Sequence, residues 1–133
     1  MEKYRDIGLK LTPQRLAILD CLDGNTNHPS AEDIYRVVRR KFPTMSFSTV
    51  YNTLEALRQR GEVLELTVDP ERKRYDPDTS EHHHLICVRC RKIVDVRADY
   101  SIRIPAEVSE GFEVIGNHIE FHGICARCTK QKD

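Results

Sequence analysis

The chain has 133 residues, with 21 Lys+Arg against 21 Asp+Glu, five cysteines and no tryptophan. Zero formal net charge argues against a polyanion-binding tail but not against a local basic face, and no apolar run approaches the ~18 residues of a membrane span. With no signal-type apolar stretch after Met1, the chain is expected to be soluble and cytoplasmic, where cysteines serve as metal thiolates more often than as disulfides. Thirteen basic and twelve acidic residues occur through Asp76, with eight and nine beyond it. Any DNA binding must therefore come from local arrangement and dimeric avidity. The length fits one domain or two small ones, and a core of fewer than ~70–80 residues usually needs a metal or a partner chain.

In chain order, Thr12-Pro13 places an N-cap and a first-turn proline ahead of Leu16, Ile18, Leu19 and Leu22, and Gly24-Asn25 ends that helix. Ser30-Ala31-Glu32-Asp33 resembles a capping box with aspartate in the usual Glu/Gln place. Ile34, Tyr35, Val37, Val38 and Phe42 continue the helix until Pro43. A third helix begins near Ser46 or Ser48 and ends at Gly61. The period then turns to two: Val63, Leu64, Leu66 and Val68 read as one strand, Asp69-Pro70 as a turn, and Lys73-Arg74-Tyr75 as the returning strand. Three helices and a hairpin predict a winged helix-turn-helix over residues 1–76. Asp76–Ser80 reads as a linker. The remaining residues, 77–133, predict a small α/β module with strands at His83–Val88 and Ile93–Arg97, a short helix at Ile104–Ser109, and strands at Phe112–Ile115 and Ile119–Ile124. The fold class is α+β.

On the third helix, Phe47, Val50, Tyr51, Leu54 and Leu57 recur at core spacing. Ser46, Ser48, Thr49, Asn52 and Thr53 form a small, polar, acid-free face suited to the major groove, and Arg58 and Arg60 could reach phosphates. An ordinary solvated face explains the helix alone equally well. The two preceding helices and the basic wing of Arg72, Lys73 and Arg74 favour DNA. Candidate contacts are Arg15, Ser48, Thr49, Tyr51, Asn52 and Arg58.

Cys87-x-x-Cys90 and Cys125-x-x-Cys128 supply two knuckles, enough for a closed tetrahedral thiolate shell and hence a structural Zn²⁺ site. The 34-residue gap between the knuckles exceeds that of compact zinc ribbons, so the metal should join distant strands. Iron in the same shell and a thiol redox switch are the alternatives. Cys21, on an apolar helix face, reads as a core thiol. His82 and His84 fall on one side of their strand and His83 on the other. With His28, Asp76 and Asp95 they offer a mixed nitrogen/oxygen donor set, which suits Fe²⁺ or Mn²⁺ and can also hold zinc. A solvated loop could equally contain three adjacent histidines. His118 and His122 read as structural or supporting groups. A hydrolytic metal enzyme is disfavoured because H-E-x-x-H and deaminase motifs are missing.

Leu11-Thr12-Pro13-Gln14-Arg15, the run from His28 to Tyr35, Ser48-Thr49-Val50-Tyr51-Asn52-Thr53-Leu54 and the run from His82 to Cys90 together resemble the ferric uptake regulator family. Within it the chain is similar to the peroxide-sensing branch, which carries His-x-His before the first C-x-x-C and aspartate at the place of Asp95. Glu81 and His83 depart from the extra His-Asp-His arrangement of the iron-sensing branch. The segment from Tyr100 to Gly111 is shorter than the family's, and matching His118 needs a gap. The resemblance implies a homodimeric, metal-dependent repressor with an N-terminal winged helix and a C-terminal dimerisation domain. It implies regulatory ligands His28, Asp76, His82, His84 and Asp95, oxidation by peroxide of His28 or His82 when Fe²⁺ is bound, and a palindromic double-stranded DNA operator. Ligands from both sides of the linker would let metal select the DNA-competent form. An iron- or zinc-uptake repressor would use nearly the same residues.

Overall fold

The computed structural model describes residues 8–131. By its contacts the chain divides into two compact units, Met1–Ser80 and Glu81–Asp133. Just before the boundary, Asp76 Oδ1 accepts from the Asp78 amide, and Asp78 Oδ1 from the Ser80 amide.

The first unit contains helices α1 (Pro13–Leu22), α2 (Ala31–Val38) and α3 (Phe47–Gln59), then strands β1 (Leu64–Leu66) and β2 (Arg74–Asp76). Each helix starts where a side-chain oxygen satisfies an otherwise orphaned amide. Thr12 accepts from Arg15, Ser30 from Asp33, and Ser46 from Thr49. The α2 start is a complete capping box, since Asp33 also accepts from the Ser30 amide. Gly61, at φ 72°, gives α3 its left-handed exit. Ile18, Leu19, Leu22, Ile34, Val50, Leu54 and Leu57 are fully buried between the three helices. β1 and β2 pair antiparallel, and an isolated antiparallel bridge links Ser30 to Arg74. This is a winged helix.

The second unit is a three-stranded sheet in the order β4-β3-β5, formed by β3 (His83–Cys87), β4 (Ile93–Val96) and β5 (Glu120–Gly123). β3 runs antiparallel to β4 and parallel to β5. The short helices α4 (Ala106–Ser109) and α5 (Ala126–Lys130) complete it. Its buried apolar side chains among the described residues are few: Ile86, Ile93 and the thiols Cys87 and Cys128.

Several expectations change. α2 stops at Val38 rather than running on to Phe42, because Arg39 already caps it and the chain tightens into turns. Phe47 is 37 % exposed and packs edge-on to Tyr35 instead of entering the core. Thr53, assigned to the polar face, is buried, with its hydroxyl donating to the Thr49 carbonyl. Residues 112–115 form no strand: Phe112, Val114 and Ile115 are exposed and no described strand lies alongside to pair with them. α4 begins after Pro105, which sits at its N-cap. α5 was missed, although its residues Cys125 to Lys130 combine a knuckle with basic residues in the last turn.

Candidate metal centres and DNA-reading helix

Two hairpin-like knuckles bring the four cysteines together. One follows β3, where Arg91 at φ 67° turns the chain sharply after Cys90. The other opens α5, with Cys125 at its N-cap. Four sulfur atoms, one from each of Cys87, Cys90, Cys125 and Cys128, lie within 4.8 Å of one another. The Cys90 and Cys125 sulfurs are 3.8 Å apart, as for thiolates ~2.3 Å from one zinc, which stand roughly 3.8 Å apart in a tetrahedron. The Cys125 amide donates to the Cys87 sulfur at 3.3 Å. Backbone N–H groups of Cys90 and Cys125 hold the Cys87 thiol down at about 5. The Cys128 amide likewise lowers Cys125, whereas hydrogen bonding to Cys125 and burial push Cys128 up to about 12. Amides aimed at sulfur favour thiolate, so the donor set fits zinc. Cys21 is half-buried against the helical core, and burial raises its thiol.

The imidazole and carboxylate candidates fall into two groups, one in each unit. In the first unit His28 and Asp76 are buried, and His28 Nε2 lies 3.4 Å from Asp76 Oδ2. His28 holds a left-handed backbone, φ 53°, uncommon for a side chain of its size. What secures it is Arg74. Counted with Arg72 and Lys73 as part of a basic wing, Arg74 is instead buried, and its guanidinium donates to the carbonyls of His28 and Asn27 and to the Asp69 carboxylate. The Tyr75 amide adds a bond to the Pro29 carbonyl at 2.8 Å. The wing strand therefore fixes the loop that carries His28.

In the second unit Asp95, on β4, stands opposite His84 on β3. Its Oδ1 is 3.2 Å from His82 Nε2 and 3.4 Å from His84 Nε2. Donors ~2.1 Å from one ion at near-right angles lie roughly 3 Å apart, so Asp95 Oδ1 stands near the spacing of a co-ligand from each imidazole. Both imidazoles are buried. His83 points elsewhere: its Nδ1 accepts from the Ile119 amide at 3.0 Å, and its ring packs on Tyr100. His118 reaches His84, Nε2 to Nδ1 at 2.7 Å. Burial, and then His84, hold His118 below the ordinary imidazole range. His122 is exposed and faces Glu120 at 3.7 Å.

On α3, Ser48 and Asn52 are exposed and Thr49 and Tyr51 partly so. Tyr51 stacks on Phe47, which carries the exposed aromatic edge of that face. Arg58 is held by Glu55 at 2.5 Å and Glu65 at 3.1 Å, and Lys73 by Glu65 at 2.8 Å. Arg58 on α3 and Lys73 on the wing thus share the acidic partner Glu65. Arg15, at the start of α1, donates to the Lys10 carbonyl at 2.7 Å.

A winged helix followed by a sheet module that gathers four thiolates, with histidine–aspartate sets in both units, defines a metal-binding transcription regulator. The description "Ferric uptake regulator family" matches residues 6–122. The chain is 41 % identical over 136 residues to the peroxide operon regulator of Bacillus subtilis (strain 168), covering 100 % of this chain and 93 % of that one. It is 36 % identical over 130 residues to the peroxide-responsive repressor PerR of Staphylococcus epidermidis, covering 96 % and 86 %. Among solved structures, the Helicobacter pylori ferric uptake regulator Fur superposes with a TM-score of 0.75 at 25 % identity, over 99 % of this chain and 90 % of that one. The chain belongs to the ferric uptake regulator family, whose members are DNA-binding repressors that act as dimers. It is a metal-dependent transcriptional repressor. Among the described residues no helix is long and apolar enough to cross a membrane.

Proposed function

We propose that the chain is a cytoplasmic, peroxide-responsive repressor that binds a palindromic operator as a homodimer when a regulatory Fe²⁺ or Mn²⁺ is present. The observation that carries the reading is the convergence of His82 Nε2 and His84 Nε2 on one Asp95 oxygen, at 3.2 and 3.4 Å. Similarity to peroxide regulators over the whole chain supports it. In this reading Cys87, Cys90, Cys125 and Cys128 hold a structural zinc. His28 and Asp76 of the first unit, with His82, His84 and Asp95 of the second, are assigned as regulatory ligands.

Residues 1–76 read DNA, with Ser48, Thr49, Tyr51 and Asn52 at the groove and Arg15 and Arg58 toward the backbone. Because Glu55 and Glu65 hold Arg58, its phosphate contact requires exchange of partners. Residues 77–133 dimerise, and the exposed Leu85, Val94, Phe121 and Ile124 supply apolar surface for the partner copy. A ligand set drawn from both units makes metal affinity and DNA affinity reciprocal.

An Fe²⁺ held by these residues would activate peroxide, the two electrons that reduce it coming in net from the imidazole that is oxidised. The buried His82 and His28 rings are the acceptors: one oxygen atom replaces a ring hydrogen with the proton retained on the modified ring, and the other oxygen leaves as water. Each modified ring gains one oxygen and loses its fitness as a ligand. The test is peptide mass analysis after peroxide treatment of iron-loaded and manganese-loaded protein. One-oxygen adducts on His28 or His82 peptides are expected with iron only. Absence of adducts, with metal-dependent operator binding intact in gel shifts, would make the chain a metal-uptake repressor instead.

A further inference from the structure

Two carboxylates stand where α3 meets the wing: Glu55 on α3 itself and Glu65 on β1. Glu65 holds one cation with each oxygen, Oε2 lying 3.1 Å from Arg58 Nε and Oε1 2.8 Å from Lys73 Nζ. Glu55 Oε1 takes Arg58 Nη2 at 2.5 Å. The Glu65 side chain is 17 % exposed, against 38 % for Arg58 and 48 % for Lys73, so the carboxylate is the most covered of the three. Lys73 Nζ also stands 6.0 Å from the centre of the Tyr51 ring, which puts the cluster beside a candidate groove residue.

Ion pairs this open to solvent add little to stability, so fastening the wing is not their main consequence. Their effect on DNA is larger. A free lysine or arginine that meets a phosphate releases a condensed counter-ion, and that release drives sequence-independent binding. A cation already held by a carboxylate must first give up that partner, and the carboxylate then stands beside a phosphate of the same sign. Random DNA offers only phosphates, so it gains little from Arg58 and Lys73 while Glu65 holds them. Contacts to base edges from Ser48, Thr49 and Asn52 are polar and do not draw on this exchange. Specificity is a difference of affinities, and weakening the sequence-independent part widens it.

We propose that Glu65 is an internal counter-ion that holds Arg58 and Lys73 back from phosphate and so lowers the sequence-independent affinity of the chain for double-stranded DNA. It determines specificity through the two cations and touches no base. The role rests on the reading of residues 1–76 as the DNA reader. Because Glu55 keeps a second hold on Arg58, the cation that loss of Glu65 sets free is Lys73, one in each subunit.

The experiment uses full-length protein loaded with zinc and Mn²⁺ and a short fluorescent duplex of mixed, non-palindromic sequence. Binding is read by anisotropy across a series of salt concentrations for the wild type, Glu65→Gln, Glu65→Gln/Lys73→Met and Asn52→Asp. Glu65→Gln, which keeps the size of the side chain, is expected to bind roughly 10-fold more tightly per subunit near ~0.1 M salt, with log affinity falling more steeply against log salt by about 0.9 per freed contact. Adding Lys73→Met restores the charge balance and is expected to return both affinity and slope to the wild-type values. A Glu65→Gln variant with unchanged or weaker binding, or a steeper slope that Lys73→Met fails to reverse, would overturn the counter-ion role. Asn52→Asp places an acid on the groove face and is expected to weaken binding. Unchanged binding there would overturn the assignment of this face to DNA, whereas weakened binding there beside an unchanged Glu65→Gln slope overturns the counter-ion role alone.

Discussion

Removing the thiolate centre tests how the second unit is held together. Among the described residues its buried apolar side chains are Ile86 and Ile93, 1 % and 4 % exposed, beside the thiols themselves. Two isoleucines contribute about 3–6 kcal/mol of burial, too little to offset the chain entropy of more than forty residues. A zinc centre in a small domain contributes about 10–16 kcal/mol of apparent folding free energy. The metal term is thus the larger one. The first unit, by contrast, has a core cluster of buried residues spread over three helices and the wing, and no cysteine ligand. Cys125→Ser removes one thiolate and should release the zinc. Hydrogen exchange read by mass spectrometry should then show fast exchange at His84, Cys87 and Val88, whose amides bond to Ile119, Lys92 and Gly123, while α1–α3 stay protected. Zinc-free Cys125→Ser protein that keeps β3–β5 protected would refute the reasoning.

Asp95→Asn keeps the size of the side chain but removes its charge between the two imidazoles. Mn²⁺-dependent operator binding should fall at least ~10-fold in gel shifts, and wild-type behaviour would remove Asp95 from the ligand set. Ser30→Ala breaks the capping box of α2 at a cost of about 1 kcal/mol in urea unfolding. Burial alone would raise Asp33, but its hydrogen bonds to Ser30, helped by Arg72 and Arg36, pull the carboxyl below its ordinary value. The carboxylate's contribution is therefore complete above the ordinary carboxylate range and lost as pH falls through the lowered value, so the gap between the variant and wild type should narrow in acid, while the part owed to the Asp33 amide bonding to Ser30 Oγ persists. Arg74→Ala, which abandons a buried carboxylate and the His28 carbonyl, should cost about 3–5 kcal/mol. Arg72→Ala should stay within about 0.5 kcal/mol; equal effects in equilibrium unfolding would contradict the buried-strut role of Arg74.

Local signals in the sequence were strong where the chemistry is local. Thr12, Ser30 and Ser46 announce helices because a cap needs only the next three amides, and Gly61 ends one because only glycine takes its backbone cheaply. The two knuckles were legible for the same reason: each is set by four consecutive residues. The wing arginines were not, since a run of three basic residues looks alike whether it faces phosphate or a buried loop. Arg74 became a strut only because the Ser30 bridge brings β2 beside His28. Thr53 was misplaced for a related reason, its hydroxyl being satisfied by its own helix.

By itself the sequence determined the three helices of the first unit, the winged-helix order, the thiolate quartet and the histidine and aspartate candidates. These follow from spacing and chemical type, which fold along with the chain. The tertiary structure alone decided which histidine does what. Antiparallel pairing sets Asp95 opposite His84, parallel pairing brings the β5 segment and His118 to the other ring nitrogen, and His83 is turned to the Ile119 amide. Three adjacent histidines are chemically identical in a sequence; only the neighbouring strands distinguish them.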